Sequence, residues 1–253
     1  MIKDQSRLVA GINPVLAALR NKPQAIARLY LAKGSRNQRV KDIELLARDL
    51  NLEVVLAQRE RLDELAGLDR HQDVLLELSA QPGLDEAGFY ALLESLQEPP
   101  LLLVLDGVTD PHNLGACLRT AEGAGVHAVL VPRDRAAGLT PVARKASAGA
   151  SEVIPLVQVT NLARTLRELK QRGIWLFGTS DRAQTSLYAQ DLTGPMALVM
   201  GSEGQGLRRL TAETCDFLLS LPMRGTVNSL NVSVATGVCL YEIGRQRSLE
   251  QGL

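Results

Sequence analysis

Aromatic residues are scarce, 3% of 253, which leaves Leu, Val and Ala to do most of the packing. Cysteine is scarce as well. Cys117, Cys215 and Cys239 are an odd number, widely separated and without C-x-x-C spacing, which argues against a disulfide framework or a zinc site and points to a reducing compartment. No apolar run reaches the 18 or so residues of a membrane span, and "MIKDQSRLVAGINPVL" holds no stretch long enough for a signal-peptide core. A cytoplasmic protein with no membrane partner is expected. Net charge is also missing: 28 Lys and Arg balance 28 Asp and Glu, so the whole-molecule positive charge of many nucleic-acid binders is absent.

What is present sorts into two domains, the number that 253 residues suggest. The first 80 residues mix helix and strand signals. "NPVLAALR" offers Asn13 as an N-cap and Pro14 at the first helical position. "RLYLA", "LEVVLA" and "QDVLLELS" read as strands around a helical "NQRVKDIELLARDL". In "KGSRNQRVK", Lys33, Arg36, Arg39 and Lys41 occur with no acid among them; such a run is more often a solvated loop than a phosphate-contacting surface. Residues 81–98 open with Pro82-Gly83 and carry only acidic charge, a composition suited to a linker with room for a short helix over "DEAGFYALLESL".

From Leu101 onward, short apolar strands ("LLLVLDGV", "HAVLVP", "VIPLV", "IWLFGTS", "ALVMG", "FLLSLP") alternate with helical segments. That alternation predicts an α/β domain with a parallel sheet covered on both faces. "NSLNVSVATGVCLYEIGRQR" reads as a final helix with Arg245 and Arg247 near its end, where they suit the dipole.

Ligands of such sheets bind beyond the carboxyl ends of the strands, and three loops there stand out. In "DPHNLGACLRTAEGAGV", Asp110-Pro111 makes a sharp exit, Asn113 can cap the next helix, and Arg119 lies about two turns along it. His112, a lone loop histidine, is more often structural than catalytic. In "MGSEGQGLRRL", Gly201, Gly204 and Gly206 let the backbone approach a ligand, and the following helix offers N-terminal amides. Its G-x-x-G-x-G spacing is neither the dinucleotide fingerprint nor the P-loop of nucleotide hydrolases. In "LPMRGTVNSLNVSVATG", Ser229, Asn231 and Ser233 bring polar groups to a loop-to-helix junction, as capping residues also would.

Together and in this order, the three stretches resemble the signature set of the SPOUT superfamily, specifically the TrmH-type RNA ribose 2′-O-methyltransferases. The likeness runs from about residue 100 onward. The stretch from "GINPVLAAL" through "HQDVLLELS" is similar to the L30e-like RNA-binding domain of one subgroup, whose target is a guanosine ribose in the peptidyl-transferase P loop of 23S ribosomal RNA.

The resemblance implies an L30e-like α/β domain over 1–80, a linker over 81–98, and a catalytic domain over 99–253 whose parallel sheet carries a deep trefoil knot. It also implies S-adenosylmethionine in a pocket lined by Gly201, Leu221, Met223 and Leu230. A homodimer is implied, with catalytic groups of two chains near one another, as is 23S ribosomal RNA or a precursor particle as partner. Arg119, Asn113, Glu203, Ser229 and Asn231 match the family's polar active-site positions. Asn228 departs from the pattern, since the subgroup carries a smaller side chain before the matched serine. Low aromatic content suits RNA recognition through backbone and basic groups.

Methyl transfer to a ribose oxygen is an in-line displacement, so donor and acceptor must be aligned and the hydroxyl helped to lose its proton. A guanidinium, with an ordinary pKa of about 12.5–13.8, is a poor base. Arg119 is therefore expected to stabilise the forming alkoxide while water or a phosphate takes the proton. Competing readings are a transfer RNA ribose methyltransferase of the same family, and a non-catalytic RNA-binding assembly factor, whose expected sign would be damage to the three loops. A nucleotide-binding oxidoreductase lacks its fingerprint here.

Overall fold

In β2 (Ile26–Ala32), Leu29 and Leu31 belong to one buried cluster, while Tyr30 and Ala32 belong to another. This is the two-residue period of a strand covered on both faces. β4 (Val74–Leu78) repeats it, with Val74 and Leu76 on the first side and Leu75 on the second. With β1 (Leu8–Ala10) and β3 (Val54–Ala57) they form a sheet of order β1-β4-β2-β3, in which β2 and β3 run parallel and the other pairs antiparallel. Helices α1 (Ile12–Asn21) and α2 (Gln38–Asp49) fill one face, and α3 (Arg59–Ala66) the other.

The computed structural model describes residues 8–21, 23, 26–67, 71–78 and 84–250. Residues 1–82 and 138–153 form one compact unit, and 83–137 with 154–253 the other. The first unit thus takes in α6 (Pro141–Ala146) and a 3-10 turn at Ala150–Glu152, out of the stretch read from sequence as one domain over 99–253. Close packing explains the attachment: a Cβ on Gly149 would lie 2.7 Å from the Ala17 methyl of α1. Within this segment Arg144 and Glu152 form a buried ion pair, and the Ser151 hydroxyl donates to Glu152 Oε1 at 3.0 Å.

Asn13 does not cap α1. The helix starts one residue earlier, and the Ile12 amide donates to Gln72 Oε1 at 2.9 Å, a partner no local pattern reveals. Asn13 instead accepts a hydrogen bond from Arg39 Nη2 at 2.6 Å.

Seven parallel strands build the second unit, in order β7-β6-β5-β10-β8-β11-β9. They are β5 (Leu101–Asp106), β6 (Ala128–Pro132), β7 (Leu156–Val159), β8 (Trp175–Thr179), β9 (Thr185–Ser186), β10 (Met196–Gly201) and β11 (Phe217–Ser220). Every residue of β5, β6 and β10 is buried, as expected of parallel strands with both faces covered.

One face packs against α4 (Glu86–Ser95) and α7 (Leu162–Gln171) through Phe89, Leu93, Leu162, Leu166 and Leu169. Of the expected linker, 81–83 lie outside the described residues, and much of the remainder is α4, whose fully buried Phe89 makes it part of the core. Against the other helices, α5 (Pro111–Gly123) packs on α9 (Val232–Glu250), with Cys117 Sγ 3.7 Å from Thr236 Oγ1.

Arg247 serves tertiary contacts more than the dipole of α9, and Arg245 an ion pair within the helix. Arg247 donates to the carbonyls of Pro99, Pro100 and Gly194, at the entrances of β5 and β10. Arg245 grips Glu242 through two nitrogens at 2.7 and 2.8 Å, and Gln246 adds a third donor at 2.9 Å. These bonds, led by those from Arg245, hold the Glu242 carboxyl at about 2. A carboxylate depressed in the fold adds stability above its unfolded pKa of roughly 4.3 and loses it as pH falls toward the folded value. Thermal melts of Glu242→Gln and the native protein should therefore differ most at pH 6 and converge between pH 4.5 and 2; a gap that stays constant would remove Glu242 as the cause.

Candidate active site

β8, β10 and β11 end together, and their carboxyl ends open into a cleft of about 390 Å³, within the size range of cofactor sites. Its wall is the loop after β10. Ser202 and Gly206 exchange backbone hydrogen bonds at 3.1 and 2.9 Å, folding the loop back onto Gly201. A Cβ at Gly201 would sit 2.1 Å from the Gly206 carbonyl carbon and 2.3 Å from the Leu207 nitrogen, so only glycine fits. Gly204 (φ +80°) and Gly206 (φ +68°) take the left-handed backbone that lets the loop turn.

Four expected cofactor-lining residues, Gly201, Leu221, Met223 and Leu230, all line this cleft, and so do Glu203 and Ser229. Asn228, the departure from the family pattern, is on the wall too. Asn113, Asn231 and Arg119 are not.

Asn231 sits at the start of α9, where its Oδ1 accepts from the Ser233 amide at 2.9 Å and hydroxyl at 2.7 Å, an N-cap in function. Its Nδ2 donates to Asn113 Oδ1 at 3.0 Å. Asn113 is free to accept because Asp110, not Asn113, caps α5: the Asp110 carboxylate accepts from the amides of His112 and Asn113. Pro111 at the first helical position marks Asp110 as the cap. His112 is exposed. Arg119 is exposed on α5, away from the α9 contact made by Cys117, and no described residue hydrogen-bonds or ion-pairs with it.

The helix after the glycine-rich loop, α8 (Arg209–Thr214), is tied at its N-cap residue to the end of β5. The Arg208 amide donates to Asp106 Oδ2 at 3.0 Å, and the Arg208 side chain reaches the same buried carboxylate. Asp106 closes β5 beside Gly201 of β10 and was not singled out in sequence. Neither was the turn Thr179–Arg182 after β8, which lines the cleft; the carboxyl-end rule alone would have found it.

No group of His, Cys, Asp and Glu among the described residues could hold a metal ion. No described helix is long and apolar enough to cross a membrane. Burial raises the thiols, Cys117 to about 11 and Cys215 and Cys239 to about 12. All three should resist alkylation at pH 8 in the native protein and react fully in denaturant, as mass spectrometry would count; rapid native labelling of Cys117 or Cys239 would contradict their burial.

A parallel α/β domain with a cofactor-sized cleft at the strand ends, walled by a glycine loop and a strand-to-helix loop, defines a ligand-binding class of enzyme fold. Comparison with known proteins narrows it. Residues 100–241 match the SpoU rRNA methylase family, and residues 8–83 match the RNA 2′-O ribose methyltransferase substrate-binding family. The chain belongs to the SpoU rRNA methylase family.

It is 52% identical over 248 residues to the 23S rRNA (guanosine-2′-O-)-methyltransferase RlmB of Ralstonia nicotianae, covering 97% of this chain and 98% of that one. It is 55% identical over 241 residues to RlmB of Pseudomonas aeruginosa, covering 95% and 96%. Among solved structures, the SpoU methyltransferase AviRb from Streptomyces viridochromogenes in complex with AdoMet aligns with a TM-score of 0.79 and 26% identity over 95% of this chain and 90% of that one.

Proposed function

We propose that this protein transfers a methyl group from S-adenosylmethionine to the ribose 2′-oxygen of a guanosine in the peptidyl-transferase P loop of 23S ribosomal RNA, as a cytoplasmic homodimer. The Asn231–Asn113 hydrogen bond at 3.0 Å carries this reading. It joins the first of the three motif loops to the rim of the cleft that the other two line. The relatives' names support ribosomal RNA and guanosine; the P loop, the dimer and the trefoil knot rest on the sequence resemblance.

The cleft suits the cofactor in volume, and its wall loop lies so close on Gly201 that a side chain there would collide with it. Leu221, Met223 and Leu230 offer apolar surface for an adenine ring, and Gly201 a bare backbone. When bound, S-adenosylmethionine supplies an electrophilic methyl group on a sulfonium. Glu203 and Ser229 orient substrate and cofactor from the rim, and Asn113 and Asn231 hold the loops in register. Arg119 neutralises the developing alkoxide while water or a phosphate removes the proton. Because Arg119 is outside its own cleft, the partner's Arg119 completes each site. Residues 1–80, together with 138–153 of the same unit, recognise the RNA, and the unit of 83–137 and 154–253 catalyses.

The test is transfer of labelled methyl from S-adenosylmethionine to 23S ribosomal RNA and to transfer RNA, each lacking native modification, with mapping of the product. A single 2′-O-methylguanosine in the P loop is expected. Label on transfer RNA alone would keep the chemistry and overturn the substrate.

A further inference from the structure

A second cleft, of about 480 Å³, lies wholly within the first unit. Gly11 and Asn13, at the turn from β1 into α1, line it together with Arg59, Gln72, Lys145 and Ala148. His71 lines it too, with Nδ1 accepting from the Asp73 amide and Nε2 at 3.0 Å from Asp63.

The side chains there are arranged in a single sense. Gln72 Oε1 is taken by the Ile12 amide, and Asn13 Oδ1 by Arg39 Nη2, so both carboxamides are left with their NH₂ groups to offer. Arg59 commits one nitrogen to Asp73 at 2.8 Å and is otherwise exposed. No described residue hydrogen-bonds or ion-pairs with the exposed Lys145 side chain, and among the described residues no carboxylate lines the cleft. Two cations and two amide donors thus line a concavity whose described side-chain acceptors are already occupied.

Backbone strain gathers at the same place. Gln72 (φ +54°) and Ala148 (φ +52°) of the lining, and Asp73 (φ +66°), the partner of Arg59, are non-glycine residues in the left-handed region. Such strained residues tend to persist at ligand sites.

A cleft whose described side chains offer two cations and two free amide donors is matched to a ligand rich in anionic oxygen. We infer that this cleft binds the phosphodiester backbone of the RNA substrate, with Lys145 and Arg59 on phosphate and the amides of Asn13 and Gln72 on phosphate or ribose oxygens. Arg39, held by Asn13, extends the same positive rim from the basic run noted in sequence. The inference rests on the reading of the chain as an RNA methyltransferase, and it gives α6 and the turn after it a role in substrate capture rather than chemistry.

The test uses the full chain and an unmodified 23S ribosomal RNA transcript, with binding measured across a salt series. Lys145→Ala should raise Kd on the order of fivefold at 0.1 M salt and make the slope of log K against log salt shallower by about 1. Asn13→Asp keeps the acceptor for Arg39 while replacing the donor with a negative charge, and should weaken binding likewise. Melting temperature, S-adenosylmethionine affinity and kcat at saturating RNA should stay native, with KM alone rising.

Native Kd and salt slope in both variants would overturn the cleft assignment, even if methyl transfer proceeds. A native protein that fails to bind the transcript would overturn it as well. Binding that weakens as stated, with no methyl transfer by any form, would support the cleft and sink the catalytic reading.

Discussion

Replacing Arg119 with alanine is expected to abolish turnover, a loss of at least 10²–10³-fold in kcat on the order of removing an oxyanion donor, while S-adenosylmethionine binds almost as before. The structure separates the two effects. Arg119 is exposed on α5, and the cleft proposed for the cofactor is built from other segments. No described residue depends on its guanidinium for an ion pair, so the melting temperature should hardly move. Single-turnover methylation and calorimetric cofactor binding, run side by side, make the comparison. Near-native turnover would remove Arg119 from the mechanism. If it acts across a dimer, mixed dimers with a protomer whose own cleft is disabled should recover activity, because one intact cleft then faces one intact arginine.

Gly201→Ala supplies that disabled protomer. The added methyl would collide with backbone atoms of Gly206 and Leu207, at 2.1 to 2.4 Å, and neither is the flexible end of a side chain. The loop must lift off β10, and lifting it breaks the paired hydrogen bonds between Ser202 and Gly206 that shape the cleft wall. A strain of about 2 kcal/mol is ordinary for overpacking. If it falls on the bound state it weakens cofactor affinity roughly thirtyfold. Native-like circular dichroism with weakened S-adenosylmethionine binding is the expected pair of results; unchanged affinity would show that the loop does not form the cofactor wall.

The parallel sheet was legible because β5, β6 and β10 are unbroken apolar runs, as strands buried on both faces must be. β1 and β9, of three and two residues, are too short to show any period. α3 buries only Leu62 and Ala66 amid charged neighbours, which leaves little apolar signal to read. The glycine and asparagine loops of the site were legible for their composition. Asp106 was not, because its partner amide at Arg208 lies 102 residues away. The cap of α5 was readable from Asp110-Pro111, yet the sequence reading gave that task to Asn113 and so missed the side-chain bond that links two of the three loops.

Val232 and Ala235, in the first turn of α9, line the same cleft as Gly201, and Arg247 near the far end of that helix fastens the entrances of β5 and β10. During synthesis, every strand of the sheet emerges before this helix does. Domains fold as they leave the ribosome, but this cleft stays unfinished while α9 is still inside the exit tunnel. A nascent chain whose proposed substrate is ribosomal RNA would therefore lack a working site until α9 is free of the ribosome that makes it.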